Sequence, residues 1–138
     1  MQRAPQLLLM DADLAFCRML SDYLQGQGFG VTVARDAEMD LLQAAEGCYD
    51  LVILGDTRSV LGGLEVLKRI RKQGELPVVI LTAKNDDIDR IVGLEVGADD
   101  YLSKSCNLRE LASRLRCILR RVRGKNIAEK SAAPIRQA

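Results

Sequence analysis

Polar side chains that can do chemistry follow short apolar runs at four places in the chain. Asp11 follows the first run, Gly55 and Asp56 the third, Thr82 the fourth, and Lys104 comes shortly after the fifth. If these runs are parallel strands, their carboxyl ends meet at one crevice, which is where α/β folds bind ligands. Opposite charges in such a crevice pair, so Lys104 is expected to contact Asp11 or Asp56.

The elements that must position these residues alternate in type. Five apolar runs have the composition of strands that are buried on both faces of a parallel sheet. They cover residues 7–10, 31–34, 51–54, 78–81 and 101–102. Amphipathic helical patterns lie between them, such as the one that places Phe16, Leu20 and Leu24 on one face. The alternation predicts five β-α units and a doubly wound α/β domain.

Composition restricts the classes of function. A length of 138 residues suits one domain with its own core, and a net charge of +1 gives no global reason for nucleic-acid binding. The chain has no histidine, so the commonest general base and metal ligand is absent. Its four cysteines form no C-x-x-C pair, which argues against zinc and favours reduced thiols in the cytoplasm.

The N-terminal apolar run does not resemble a targeting or membrane segment, and the C-terminal end of the chain is predicted to lie outside the helical pattern. The apolar run at 7–10 is too short for a membrane span and lacks a cleavage-site pattern, which predicts a cytoplasmic protein. The last helical period ends near Val122. Residues 1–122 therefore form the predicted domain, and residues 123–138 are predicted to be a linker or a disordered tail.

Five segments of the chain carry a shared family pattern. They are LLLMDAD at 7–13, YDLVIL at 49–54, GGLEVL at 62–67, PVVILTA at 77–83 and GADDYLSK at 97–104. Together they resemble the receiver domains of response regulators of the OmpR/PhoB branch, which have the CheY-like fold. The resemblance runs from residue 6 to residue 121. It implies a flavodoxin-like, five-stranded parallel sheet with strand order 2-1-3-4-5.

The resemblance also implies a site. In receivers, an aspartate at the end of the third strand accepts a phosphoryl group, with Mg²⁺ held by that aspartate, by an acid of the first turn and by a backbone carbonyl. A threonine hydroxyl and a lysine ammonium take the phosphoryl oxygens. By resemblance, Thr82 is the threonine, Lys104 the lysine, Thr57 the carbonyl position and Asp11 the first acid. Thr82 and Tyr101 match the switch residues.

Two positions of this site depart from the family pattern. Gly55 stands at the acceptor position and Ala12 at the second acid of the first turn. Glycine offers neither a nucleophile nor a metal ligand, so no cofactor is expected and Mg²⁺ should bind only weakly. Asp13 could replace the acid lost at Ala12, but we expect it to cap the first helix. The chain is therefore predicted to be a pseudo-receiver and not an enzyme.

Asp56 leaves an alternative open. Side chains alternate across a strand, so a shift of one residue should aim Asp56 away from the position of the lost acceptor. A bulge at Gly55 would instead re-aim it into the crevice. In that case the chain would be a receiver that is phosphorylated at Asp56 with Mg²⁺. A third reading, a flavodoxin-like small-molecule binder, is disfavoured because the acidic turn at 11–13 repels phosphate.

Charges of both signs recur where OmpR/PhoB-type receivers pair into symmetric dimers. We call the set the predicted dimer face, which consists of Asp89, Arg90, Glu95, Asp99, Asp100, Arg109, Glu110, Arg114 and Arg116. By resemblance, Arg90 with Glu110 and Asp100 with Arg114 are the cross-subunit pairs. The alternative is an ordinary solvated face with local ion pairs.

The resemblance implies a set of partners for this domain. We expect a homodimer, a sensor histidine kinase, and DNA bound only through a C-terminal domain that this chain does not contain. No membrane partner is expected. The function predicted from the sequence is therefore a signalling domain of a two-component transcription regulator that dimerises without aspartate phosphorylation.

Overall fold

The computed structural model describes residues 3–34, 48–56, 62–83 and 87–136, with backbone alone at 62, 87, 88 and 125–136. The strands it contains are β1 (Gln6–Met10), β2 (Gly30–Ala34), β3 (Leu51–Leu54), β4 (Val78–Thr82) and β5 (Asp100–Ser103). The helices are α1 (Leu14–Gly26), α2 (Gly62–Gln73), α3 (Asp87–Val96) and α4 (Leu108–Arg136). The helix predicted between the second and third strands lies outside the described residues.

The strands form one parallel sheet in the order β2-β1-β3-β4-β5, which confirms the predicted fold class and strand order. Met10 at the end of β1 pairs with Ala34 and Leu54, and Thr82 at the end of β4 pairs with Ser103. The carboxyl ends of β1, β3, β4 and β5 therefore meet at one edge of the sheet.

Side chains of β1 show why a continuous apolar run suits this position. Leu7 and Leu9 pack on one face of the sheet with α1 and α4, whereas Leu8 and Met10 pack on the other with α2. All four are at most 1% exposed. Because strand side chains alternate between faces, only an unbroken apolar sequence can fill both core layers.

The last helix extends further than the sequence pattern predicts. It continues to Arg136, so the expectation that it ends near Val122 is wrong. Adding a residue to an existing helix needs no new nucleus, and the alanine, lysine, arginine and glutamate of this segment are good helix formers. A linker role for residues 123–138 stays a prediction. No helix in the described part of the chain has the length and apolar content needed to span a bilayer.

Candidate functional site

The crevice at the carboxyl ends of the strands gathers four of the predicted site residues. Asp11 follows β1, Asp56 follows β3, Thr82 ends β4 and Lys104 follows β5. Asp11 and Thr82 are buried, at 6% and 5% exposure. The order of the strands thus brings together residues that are far apart in the sequence, as the parallel-sheet prediction requires.

Lys104 lies between two carboxylates. Its Nζ is 2.7 Å from Oδ2 of Asp11 and 3.1 Å from Oδ2 of Asp56. The same ammonium lies over the ring of Phe16, 4.5 Å from the ring centroid. The lysine was expected to pair with one of the two acids, and it pairs with both.

Asp11 accepts hydrogen bonds from three donors. Its Oδ1 accepts from the amide of Asp13 at 2.8 Å, and its Oδ2 accepts from the amide of Asp56 at 3.0 Å as well as from Lys104. The side chain has no exposed surface. Both oxygens of this carboxylate therefore have partners within the chain.

The Asp11 carboxylate lies in the space beside Gly55 that a side chain would otherwise fill. A Cβ added at Gly55 would overlap Oδ2 of Asp11 and lie 2.9 Å from its Cγ. Glycine is required here because of this close approach, and not because of an unusual backbone dihedral. The crevice is thus closed to a side chain at residue 55 as long as Asp11 keeps its place.

Asp56 points into the crevice. The Thr82 hydroxyl donates to its Oδ1 at 2.6 Å, and the Ala83 amide donates to its Oδ2 at 3.0 Å. With Lys104, three donors of different types converge on this one carboxylate. The expectation that strand alternation turns Asp56 away is wrong.

A slip in the strand pairing explains the orientation of Asp56. Met10 pairs with Leu54, and the Gly55 amide donates to the Met10 carbonyl at 2.7 Å. In an evenly spaced parallel ladder the Ala12 amide would next donate to the Gly55 carbonyl, but it donates to that of Asp56 at 3.0 Å. The extra residue on the β3 side re-aims Asp56, as the bulge alternative predicts.

The surroundings of Asp56 and Lys104 favour the charged form of each side chain. Burial opposes ionisation of Asp56, but the hydrogen bonds from Thr82, Ala83 and Lys104 outweigh it and lower the pKa of this carboxyl below its usual 3.8. Burial also opposes the charge of Lys104, but Asp11 and Asp56 raise the pKa of the ammonium above its usual 10.5. The crevice therefore holds one cation and the Asp56 anion across the neutral pH range.

The remaining residues of the predicted site offer little to a metal ion. Asp13 caps α1, with its Oδ1 accepting from the Phe16 amide at 3.1 Å, as predicted. Ala12 has no ligand atom in its side chain, and Thr57 lies outside the described residues. No group of three metal-ligating side chains occurs in the part of the chain that the structure describes. Because the oxygens of Asp11 and Asp56 already accept hydrogen bonds within the chain, Mg²⁺ would have to displace these partners, and weak binding of Mg²⁺ stays a prediction.

Tyr101 is buried between β5 and α3. It pairs with Ile80 across the β4–β5 ladder and is 7% exposed. A Cβ added at Gly93 of α3 would lie 3.3 Å from the Tyr101 ring and 3.0 Å from Cδ1 of Ile80. Gly93 therefore lets α3 pack closely on both strands.

Residues of the predicted dimer face have several partners within the chain. Arg114 contacts Asp100 at 2.9 Å and Glu110 at 3.0 Å, so the pair expected across subunits is formed inside one chain. Asp99 contacts Arg71 of α2 at 3.0 Å, and Arg116 donates to the Gln27 side chain at 2.9 Å. Exposed members without such a contact above are Asp89, Arg90, Glu95 and Arg109.

Three contributors to these sites are not apparent from the sequence. The Ala83 amide binds Asp56 through the backbone, which leaves no mark on residue type. Exposed Ile91 and Leu94, at 57% and 40%, lie on α3 beside the predicted dimer face. Their spacing of three residues places both on one face of the helix, but only the structure shows that nothing in the described part of the chain covers them.

Comparison with known proteins agrees with this fold and shows the family of the chain. The family described as "Response regulator receiver domain" matches residues 7–116. The chain is 46% identical over 116 residues to the transcriptional regulatory protein CpxR homolog of Haemophilus influenzae, covering 84% of this chain and 51% of that protein. It is 42% identical over 118 residues to CpxR of Escherichia coli, covering 84% and 50%. The chain thus spans about half the length of these relatives.

Solved structures give the same result. The receiver domain of the Francisella response regulator 1452 superposes with a TM-score of 0.79 at 31% identity, covering 86% of this chain and 98% of that one. The BeF3-activated receiver domain of Klebsiella pneumoniae RstA superposes with a TM-score of 0.78 at 28% identity, covering 83% and 98%. The chain belongs to the response regulator receiver family, of the OmpR/PhoB type.

Proposed function

We propose that this chain is the receiver domain of a two-component transcription regulator and that it works without aspartate phosphorylation. One observation carries the proposal: the lysine and the hydroxyl of the crevice are already bound by the chain's own carboxylates. Lys104 contacts Asp11 and Asp56, and Thr82 donates to Asp56. A phosphoryl group would have to displace these contacts, and so would the Mg²⁺ that would neutralise its charge.

The resemblance to the family pattern supports the same proposal. Counted along the segments that resemble the family, the acceptor position is Gly55, which has no nucleophile. The Asp11 carboxylate lies against Gly55 and takes up space that a side chain at residue 55 would need. The Asp56 side chain is 41% exposed, but a phosphodonor would meet a carboxylate whose two oxygens both accept hydrogen bonds.

A mass measurement tests this proposal. The protein is incubated with acetyl phosphate and Mg²⁺ and its intact mass is recorded, with Asp56→Asn treated in parallel. We expect neither protein to gain the mass of a phosphoryl group. A single adduct on the wild type that Asp56→Asn lacks would overturn the proposal.

Such an adduct would establish the second candidate function, a receiver phosphorylated at Asp56. The orientation of Asp56 toward Thr82 and Lys104 favours this candidate. Against it, both oxygens of the carboxylate accept hydrogen bonds, and a misplacement of about 1 Å can cost in-line transfer on the order of a hundredfold.

The regulatory output that we propose is homodimerisation through α3, β5 and α4. Ile91 and Leu94 form an exposed apolar patch on α3, and charges of both signs border it. A two-fold interface needs a surface that is complementary to itself, which an apolar centre with a mixed-charge border provides. In the dimer, Arg114 would contact Asp100 of the second subunit in place of Asp100 of its own chain.

Replacing Ile91 with glutamate tests the dimer. A charge at the centre of the patch should weaken association at least tenfold, because the carboxylate is desolvated without a partner. Sedimentation equilibrium over a range of concentrations measures the change. Leu64→Glu is the control, since Leu64 is a similarly exposed apolar residue, at 39%, on a different helix, α2. Equal dissociation constants for the two variants would contradict the proposed face.

The partners of the whole protein are also part of the proposal. Its relatives carry the name of transcriptional regulators, and the chain corresponds to about half of their length. We propose that DNA is bound by a further C-terminal domain, which α4 and the residues after it would join to this one. A sensor histidine kinase would contact the receiver without transferring phosphate to it.

A further inference from the structure

Three donors surround the carboxylate of Asp56, in an arrangement that suits the oxygens of an anion. A hydroxyl from Thr82, a backbone amide from Ala83 and an ammonium from Lys104 reach the carboxylate at 2.6, 3.0 and 3.1 Å. Hydrogen bonds that involve an ionised group are shorter and stronger than neutral ones. The chain fills this site with a side chain of its own.

These donors come from two neighbouring strand ends. Thr82 ends β4 and Ala83 begins the segment that leads to α3, while Lys104 follows β5. The Lys104 amide donates to the Thr82 carbonyl at 2.9 Å, so the two strand ends are also joined directly. The Asp56 carboxylate thus bridges the end of β3 to the ends of β4 and β5.

The same strands carry the aromatic residue on the proposed dimer side. Tyr101 of β5 pairs with Ile80 of β4, two residues before Thr82, and both side chains pack against Gly93 of α3. A displacement of the β4 end therefore alters the surface on which Tyr101 and α3 pack. Because packed interiors move between discrete arrangements, such a displacement should produce a distinct second state of Tyr101.

We propose that the Asp56 carboxylate is a built-in anion that takes the place of a phosphoryl group and holds β4, α3 and Tyr101 in one arrangement. The inference rests on the proposed function, since a phosphorylated Asp56 would be a switch and not a fixed clamp. Asp11 holds Lys104 in place in this arrangement. It has no exposed surface and fixes Lys104 from the other side, so that the ammonium stays directed at Asp56.

A small anion should replace the carboxylate when it is removed. Asp56→Ala deletes the carboxylate and leaves the three donors facing a vacant space of about the size of formate. Formate, with three heavy atoms, should bind there with a dissociation constant on the order of a millimolar, which is near the limit for so small a ligand. Inorganic phosphate offers the same oxygens and should also bind if the space admits it.

Fluorine NMR on protein labelled with 3-fluorotyrosine measures the response. The chain has 3 tyrosines, so three lines are expected, and Tyr101→Phe assigns the line of Tyr101. In Asp56→Ala this line should shift or split, and titration with formate should return it saturably to the wild-type position. Sodium chloride of equal ionic strength should not, and Asp22→Ala, which removes an exposed carboxylate of α1, should leave the line unchanged.

Two outcomes would overturn the inference: an unchanged Tyr101 line in Asp56→Ala, or a changed line that neither formate nor phosphate restores. If Asp56→Ala does not fold, Asp56→Asn replaces it, because the amide keeps the shape and loses the charge; an unchanged line in that variant likewise overturns the inference. The experiment contains no phosphodonor. A negative NMR result rejects this inference alone, whereas a phosphoryl adduct in the mass test rejects the proposed function and this inference with it.

Discussion

Lys104→Met should lower the free energy of unfolding by about 3 kcal/mol, the lower end of the cost of removing one partner from a buried ion pair. The variant leaves the carboxylates of Asp11 and Asp56 close together without a cation, and Asp11 has no exposed surface on which to recruit water. Methionine keeps most of the volume and the contact with Phe16, so the loss reports on charge more than on packing. Urea unfolding at neutral pH measures it.

Lys68→Met is the matched control for that variant. Lys68 is exposed on α2, and its replacement should change stability by no more than about 0.5 kcal/mol. The deficit of Lys104→Met should also shrink as the pH falls through the lowered pKa of Asp56, because protonating that carboxylate removes a charge that Lys104 otherwise pairs with. A deficit below about 1 kcal/mol, typical of a surface ion pair, would show that the crevice is more open to solvent than the structure indicates.

Gly55→Ala should destabilise the protein by about 2 kcal/mol, although alanine usually stabilises a chain relative to glycine by about 0.4–1 kcal/mol through the unfolded state. The added methyl would overlap Oδ2 of Asp11. Asp11 would have to move away from Lys104 and from the amides of Asp13 and Asp56. Differential scanning calorimetry and urea unfolding both measure the change.

Gly63→Ala is the control, and its effect on the free energy of unfolding should be opposite in sign to that of Gly55→Ala. No atom lies within 4 Å of a Cβ at Gly63, which is in α2, so the substitution should be neutral or stabilise by up to about 1 kcal/mol. If Gly55→Ala behaved like Gly63→Ala, the close approach of Asp11 to the backbone at residue 55 would be incorrect, and the crevice could accommodate an acceptor side chain.

The strands of the sheet could be predicted from the sequence because each is a short, continuous apolar run, which is a local feature. The run Leu7 to Met10 has no polar residue, which is typical of a strand with a core layer on each side. The strand order came from resemblance, because periodicity contains no information on which strands are neighbours. The extent of α4 was missed because a helix that is already nucleated continues through residues that show no apolar period.

Within the site, sequence reasoning identified the residues better than their geometry. The pairing of Lys104 follows from charge and from the strand-end rule, and it was predicted. The orientation of Asp56 depends on which carbonyl the Ala12 amide chooses, and residue types do not encode that choice. The partner of Asp100 was sought in a second subunit, whereas Arg114 on the same chain lies within reach.

A crystal structure grown or soaked with Mg²⁺ and beryllofluoride, the activating group named for the RstA receiver, tests the central claim most directly. A crevice that is filled by its own carboxylate should show neither ion, with Asp56 still bound to Thr82, Ala83 and Lys104. Beryllofluoride on Asp56 with Mg²⁺ beside Asp11 or Asp13 would contradict that claim.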